Sequence, residues 1–102
     1  MIVYMYRWRI KKDKAAQFQE NWEKVTVILR EHCGSYGSRL HIADDGTYVG
    51  YAQWPDKDTR DKCKINQPEL NAARTLMKDA VEEMLPDICL EIKSDFLIHP
   101  GL

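Results

Sequence analysis

Long hydrophobic runs are missing from this sequence, and so is an excess of charge of either sign. No apolar stretch approaches the ~20 residues of a membrane-spanning helix, so no membrane partner is expected. The 15 lysines and arginines stand against 16 aspartates and glutamates, a net charge of −1. That balance leaves no footprint for nucleic acid or for an anionic membrane surface. The Lys11-Lys12-Asp13-Lys14 cluster reads as a solvated loop. Cysteine is scarce. Cys33, Cys63 and Cys89 are odd in number and far apart, with no Cys-x-x-Cys spacing. They indicate neither a disulfide framework nor a zinc site, and no metal is expected. This usage points to a reducing, cytoplasmic setting. Residues Met1 to Arg7 lack a basic stretch followed by an apolar one, so no signal peptide is expected. Solenoid-length repeats and low-complexity segments are absent.

What is present is enough for one folded domain over residues 1–102, with 44% hydrophobic residues to build a core. A domain this short buries only part of its surface, so dimerisation would help it. Gly34 to Pro55 reads as a β-hairpin. Two runs of strand-forming residues flank Asp45-Gly46, a pair suited to the positive φ of a tight turn. A two-residue turn there sets His41 opposite Gly50 and Arg39 opposite Ala52. One face then carries Arg39, His41, Tyr48 and Trp54 around a hollow left by Gly50 and Ala52. The other carries Leu40, Ile42, Val49 and Tyr51. A three-residue loop with a bulge would move one strand's set to the opposite face.

The flanking segments complete the pattern. Residues 2–10 alternate as a strand, with Ile2, Tyr4, Tyr6, Trp8 and Ile10 on one face. Asp13 is a plausible N-cap for a helix from Lys14 to His32. Its apolar stripe is Phe18, Trp22, Val25 and Leu29, with His32 as a polar end, and Gly34 terminates it. Pro55 stops the hairpin's second strand. A short helix spans Lys57 to Lys64, and a longer one spans Pro68 to Leu85, where Pro86 ends it. A last strand runs from Ile88 to Ile98, with a possible break at Ser94-Asp95. The order β-α-β-β-α-β predicts an α+β, ferredoxin-like fold, one antiparallel sheet with helices on one face. The uncovered face carries apolar side chains, and a second copy of the chain is its simplest partner.

These residues resemble the antibiotic biosynthesis monooxygenase (ABM) domain family. The resemblance spans nearly the whole chain. It rests on Tyr6-Arg7-Trp8-Arg9-Ile10-Lys11, the Phe18/Trp22 helix, Gly34 to Leu40, and Tyr48-Val49-Gly50-Tyr51-Ala52-Gln53-Trp54 followed by an Asp-opened helix. It implies a dimeric α+β barrel, a homodimer whose sheets pack face to face, with a pocket between sheet and helices in each subunit. Some members oxidise phenols or quinols with O₂ and need no metal or flavin, so no cofactor is implied. Others degrade haem with an Asn on the first strand, a Trp ending the third and a His on the following helix. Only Trp54 matches here. The other two positions fall near Tyr6 and Cys63, which argues against haem degradation.

The expected function is cofactor-independent monooxygenation of a small electron-rich aromatic. The competing reading is a non-catalytic ligand-binding or dimerisation domain of the same fold. His41 and Arg39 are the candidate catalytic pair, as base and anion holder, or else a solvated edge. Trp54, Tyr6, Trp8 and Tyr48 are the candidate substrate-binding residues, or else core. Cys63, flanked by Lys62 and Lys64, is either a reactive or an idle thiol.

Overall fold

Seven elements follow one another: β1 (Ile2–Ile10), α1 (Ala15–His32), β2 (Ser38–Ile42), β3 (Tyr48–Trp54), α2 (Lys57–Asp61), α3 (Pro68–Ala80) and β4 (Val81–Glu91). The computed structural model describes residues 1–98, so the end of the expected 1–102 domain lies outside the described residues. The strands form one sheet in the order β2-β3-β1-β4, with every neighbouring pair antiparallel. This is the ferredoxin-like arrangement that the sequence predicts.

Alternation in β1 decides the core. Tyr4 and Trp8 are buried on the face that meets the helices, with Tyr6 half-buried between them. Fully buried Phe18 of α1 meets Trp8 edge-on, with ring centroids 5.0 Å apart. Leu70 of α3 is equally buried. Removing either side chain to Ala would cost about 2–5 kcal/mol in transfer and cavity terms. The buried positions of α1 are Phe18, Asn21 and Ile28, with Trp22, Val25 and Leu29 half-buried. His32, expected at the end of the stripe, is exposed. Asp13 does not cap the helix. Lys14 holds the N-cap position, and its side chain does not cap the helix but bonds Asp79.

The hairpin corrects the expected register. Gly46 N donates to Ala43 O at 2.9 Å, and Ala43 N donates to Thr47 O at 2.8 Å. The loop is therefore Asp44-Asp45-Gly46, with the positive φ of +87° at Gly46 alone. Asp45 Oδ1 braces it by accepting from Thr47 N at 2.9 Å. The added residue slips β2 by one position. Ser38 now faces Ala52, Leu40 faces Gly50 and Ile42 faces Tyr48. With a side-chain period of two, that slip exchanges the faces of β2. Leu40 turns toward the helices, and Arg39 and His41 turn away beside Tyr51 and Val49.

A second correction falls at the end of α3. The helix stops at Ala80 rather than Leu85, and Val81 to Glu91 pair with β1. Ala80 O accepts from Lys11 N at 2.9 Å, which pins the switch from helix to strand. The helical spacing of Val81 and Met84 hid a strand whose register shifts twice. Pro86 sits at one shift, between the Arg7–Leu85 and Met5–Ile88 pairs. An edge strand tolerates proline at such an irregularity, because no ladder donor is lost. Its carbonyl accepts from Arg7 Nη2 at 3.0 Å. Residues 92–98, expected to extend the strand, are irregular, and Phe96, Leu97 and Ile98 are exposed.

The third correction concerns the cysteines. Cys33 and Cys63 form a disulfide across 30 residues of sequence, with Cα atoms 5.3 Å apart. No local motif announces the pair, because the ends of α1 and α2 meet only in the folded chain. Cys63 is therefore not a thiol in this state. Cys89 is free and exposed. The bonded pair removes the cysteine-based argument for a reducing compartment. No described helix is long and apolar enough to cross a membrane.

Candidate functional site

Between the sheet and helices α1 and α3 lies a cavity of about 340 Å³. Tyr6 and Trp8 of β1 and Gly50, Ala52 and Trp54 of β3 form its floor. Trp22, Val25 and Leu29 of α1 line one wall, and Met77 and Arg74 of α3 line another. The space exists because β3 offers small residues there. A Cβ placed on Gly50 would come within 3.0 Å of Trp8 Cη2, so the indole lies directly over the glycine. Tyr4, Tyr6 and Trp8 lean on one another in a stack, with successive centroids 6.2 and 6.0 Å apart. Such a floor is rigid, apolar and polarisable.

Its charge comes from two arginines. Arg60 enters from the segment after β3. Asp56 caps α2 there by accepting from Thr59 N at 2.7 Å. One turn later the Arg60 guanidinium lies over the Tyr4 ring, 3.9 Å from its centroid, and Nε donates to the Tyr6 hydroxyl at 3.0 Å. Asp61 and Asp87 stand at 3.2 and 3.8 Å from its terminal nitrogens. Arg74 is exposed on α3 and has no ion-pair or hydrogen-bond partner among the described residues. At the other end, the Thr26 and Ser38 hydroxyls meet at 3.2 Å.

Burial raises the Tyr6 pKa, and the hydrogen bond from Arg60 only partly offsets it. Burial likewise raises that of Tyr4. Both phenols stay neutral near pH 7. Among the described residues lining this cavity there is no carboxylate and no imidazole. The arrangement can hold an anion and stack an aromatic ring, but it supplies no obvious general base.

The residues expected at the site divide accordingly. Trp54, Tyr6 and Trp8 line the cavity together. Tyr48 does not. It packs on Phe18 with centroids 5.8 Å apart. Arg39 and His41 are exposed on the opposite sheet face, so the expected grouping of His41 with Trp54 is corrected by the register. Arg60, Arg74 and Trp22 line the cavity without having been expected there. Trp22 was legible as part of a stripe, but only as core. Nothing in the local sequence marks Arg60, since its position depends on the path from Pro55 to Pro68. Among the described residues no cluster of His, Cys, Asp and Glu could hold a metal ion.

No family model and no curated protein sequence matches this chain. Solved structures do. SnoaB, a cofactor-independent oxygenase from Streptomyces nogalater, superposes with a TM-score of 0.75 at 15% identity, covering 93% of this chain and 95% of its own. Rv0793 from Mycobacterium tuberculosis gives 0.73 at 12% identity, covering 94% and 98%. An antibiotic biosynthesis monooxygenase gives 0.67 at 13% identity, covering 93% and 99%. Similarity at this level of identity concerns the fold. The chain has the α+β fold of the antibiotic biosynthesis monooxygenase proteins, the family that its sequence resembles.

Proposed function

We propose that the cavity binds a small electron-rich aromatic of the phenol or quinol type as its anion, and that the protein is a cofactor-independent monooxygenase. One observation carries the reading. An arginine fixed by a tyrosine hydroxyl and an aromatic face borders an otherwise apolar, aromatic cavity. A guanidinium there favours the ionised form of a bound phenol. The indole and tyrosine faces match a flat ring. Such an anion passes an electron to O₂ by its own chemistry. Oxygen then adds at a ring carbon, and loss of water leaves a quinone. The balance is one phenol and one O₂ to one quinone and one water. The protein's share is to bind, to hold the negative charge and to keep water out.

The competing reading is a binding domain without turnover. The absence of a carboxylate or imidazole among the described lining residues favours it. We further propose that the protein is a homodimer, each subunit a single domain. Met5, Val49, Tyr51, Ile88 and Leu90 share the sheet face that no described helix covers, and a second copy would bury them. An oxygen electrode with a panel of naphthols and hydroquinones separates the two readings. Oxygen uptake above the protein-free rate, with one atom of ¹⁸O₂ carried into the quinone, supports the enzyme. Binding without oxygen uptake supports the binding domain.

A further inference from the structure

The disulfide and the anion site share one short segment of chain. Cys63 lies three positions after Arg60, and it lines a second cleft, of about 450 Å³, whose charged residues are Arg60, Asp61, Lys64 and Arg74. The segment from Asp56 to Gln67 has few other holds on the body. No residue of α2 is fully buried. Thr59 touches the end of α1, where a Cβ on Gly34 would sit 3.4 Å from its methyl group. Beyond that contact, the attachment rests on Arg60, on the packing of Cys63 against Tyr4, Ala52 and Trp54, on the Asn66–Asn71 hydrogen bond and on the bond to Cys33. Cys33 closes α1, which is anchored through Phe18 and Ile28. The disulfide thus ties the carrier of Arg60 to the rigid part of the fold.

We propose that Cys33–Cys63 is a thiol–disulfide exchange site that takes a dithiol reductant, and that its state sets whether Arg60 is held at the cavity. A thiolate of the reductant attacks Cys63 Sγ, the sulfur that borders the cleft. A mixed disulfide forms, the Cys33–Cys63 bond breaks, and Cys33 leaves as a thiolate that takes a proton from water. The reductant's second thiol then attacks its own sulfur in the mixed disulfide. Cys63 is released, and it takes up the second proton. The two cysteines gain two electrons, and the dithiol becomes a disulfide. Arg60, Lys64 and Arg74 line the cleft against one carboxylate, Asp61, and this net positive charge draws a thiolate in and stabilises the Cys63 thiolate on release. In a reducing compartment a bond of this kind is a transient, sensing one. Once it opens, the segment keeps the Arg60 contacts and the packing of Thr59 and Cys63 but loses its covalent tie, and the anion site loosens.

The segment itself reports its state, since Lys57, Arg60, Lys62 and Lys64 are all tryptic sites. The experiment follows trypsin cleavage within residues 57–64 by mass spectrometry, with and without dithiothreitol. In parallel it measures the affinity for anilinonaphthalene sulfonate, an aromatic anion. The affinity arm rests on the anion-binding reading of the cavity, and the cleavage arm does not. Reduction is expected to speed cleavage at least tenfold and to weaken probe binding at least tenfold, both reversed by reoxidation. The double variant Cys33→Ser/Cys63→Ser should behave like reduced protein and ignore dithiothreitol. Where that variant fails to fold, reduced wild-type protein alkylated at its thiols replaces it. Unchanged cleavage on reduction overturns the proposal, whatever the probe does. Faster cleavage with measurable but unchanged probe affinity overturns the coupling to the cavity. If the probe binds neither form, the anion reading fails alone, and the cleavage arm still decides whether the bond holds the segment. A response to dithiothreitol in the double variant assigns the effect to Cys89 and overturns the proposal too.

Discussion

Arg60 and Tyr6 stand 54 residues apart in sequence, yet Arg60 Nε donates to the Tyr6 hydroxyl at 3.0 Å. The bond fixes a cation at the edge of an aromatic cavity. Replacing Arg60 by Gln should weaken the binding of an anionic aromatic by roughly 10- to 100-fold, about 1.4–2.8 kcal/mol. Lysine should not restore it, because a point charge cannot both lie flat on Tyr4 and bond Tyr6. Titration of the two variants against wild type by calorimetry checks this.

Gly50 and Trp8 are in contact with no room to spare. Gly50→Ala should cost about 1–3 kcal/mol by overpacking, since the new Cβ meets Trp8 Cη2 at 3.0 Å. The displaced indole should also narrow the cavity. Urea denaturation gives the first quantity, and ligand affinity in the surviving folded protein gives the second.

Trp54 is only 4% exposed, and it packs with Tyr4 and Ala52 as well as bordering the cavity. Trp54→Ala should therefore destabilise the fold by about 3–5 kcal/mol. Trp54→Phe keeps much of the packing and isolates the stacking contribution, expected at about 0.5–1.5 kcal/mol of binding. Melting curves and affinities of both variants separate the two effects.

His41→Gln should leave ligand affinity and any oxygen uptake at the wild-type level, and stability within about 0.5 kcal/mol. His41 is exposed on the sheet face away from the cavity. Arg39→Gln should behave alike. A loss of turnover in either variant, measured in the oxygen electrode, would restore the two-residue turn that the hydrogen bonds of Ala43 and Gly46 oppose.

Asp56 gives the acid limit of the segment that carries Arg60. The backbone N–H of Thr59, and then its hydroxyl, hold the Asp56 carboxyl below the usual carboxylate range. A depressed folded-state pKa stabilises above the unfolded value near 3.9 and is lost as pH falls through the folded one. The Thr59 amide should therefore exchange with solvent faster, relative to core amides, below about pH 4. In Asp56→Ala that pH dependence should vanish. Hydrogen exchange read by NMR tests both statements.

The sequence made the ends of β1 legible to the residue, because strict alternation with bulky side chains has one solution there. The β2–β3 hairpin was legible as a hairpin but not in register. Asp45-Gly46 fits both a two-residue turn and the end of a three-residue loop, and the choice exchanges the faces of β2. That one ambiguity moved His41 and Arg39 out of the site. The boundary between α3 and β4 failed for a related reason. Val81 and Met84 satisfy a helical period, while the bulges that let Val81 to Glu91 pair with β1 leave no mark in composition. Tyr6, Trp8 and Trp54, expected to bind substrate, do line the cavity, being large, aromatic and next to small neighbours. The roles of Arg60 and Cys33 were not legible, since both depend on how the segment between Pro55 and Pro68 folds back onto α1.

The central claim is that Arg60 and the aromatic floor together bind an aromatic anion. The most direct measurement is anaerobic titration with 1,4-dihydroxynaphthalene, followed by quenching of tryptophan fluorescence, in wild type and Arg60→Gln. Trp8, Trp22 and Trp54 all border the cavity, so occupancy should be read out strongly. The account predicts saturable quenching in wild type and at least a tenfold weaker affinity in the variant. Equal affinities in the two proteins, or no saturable quenching in wild type, would contradict it.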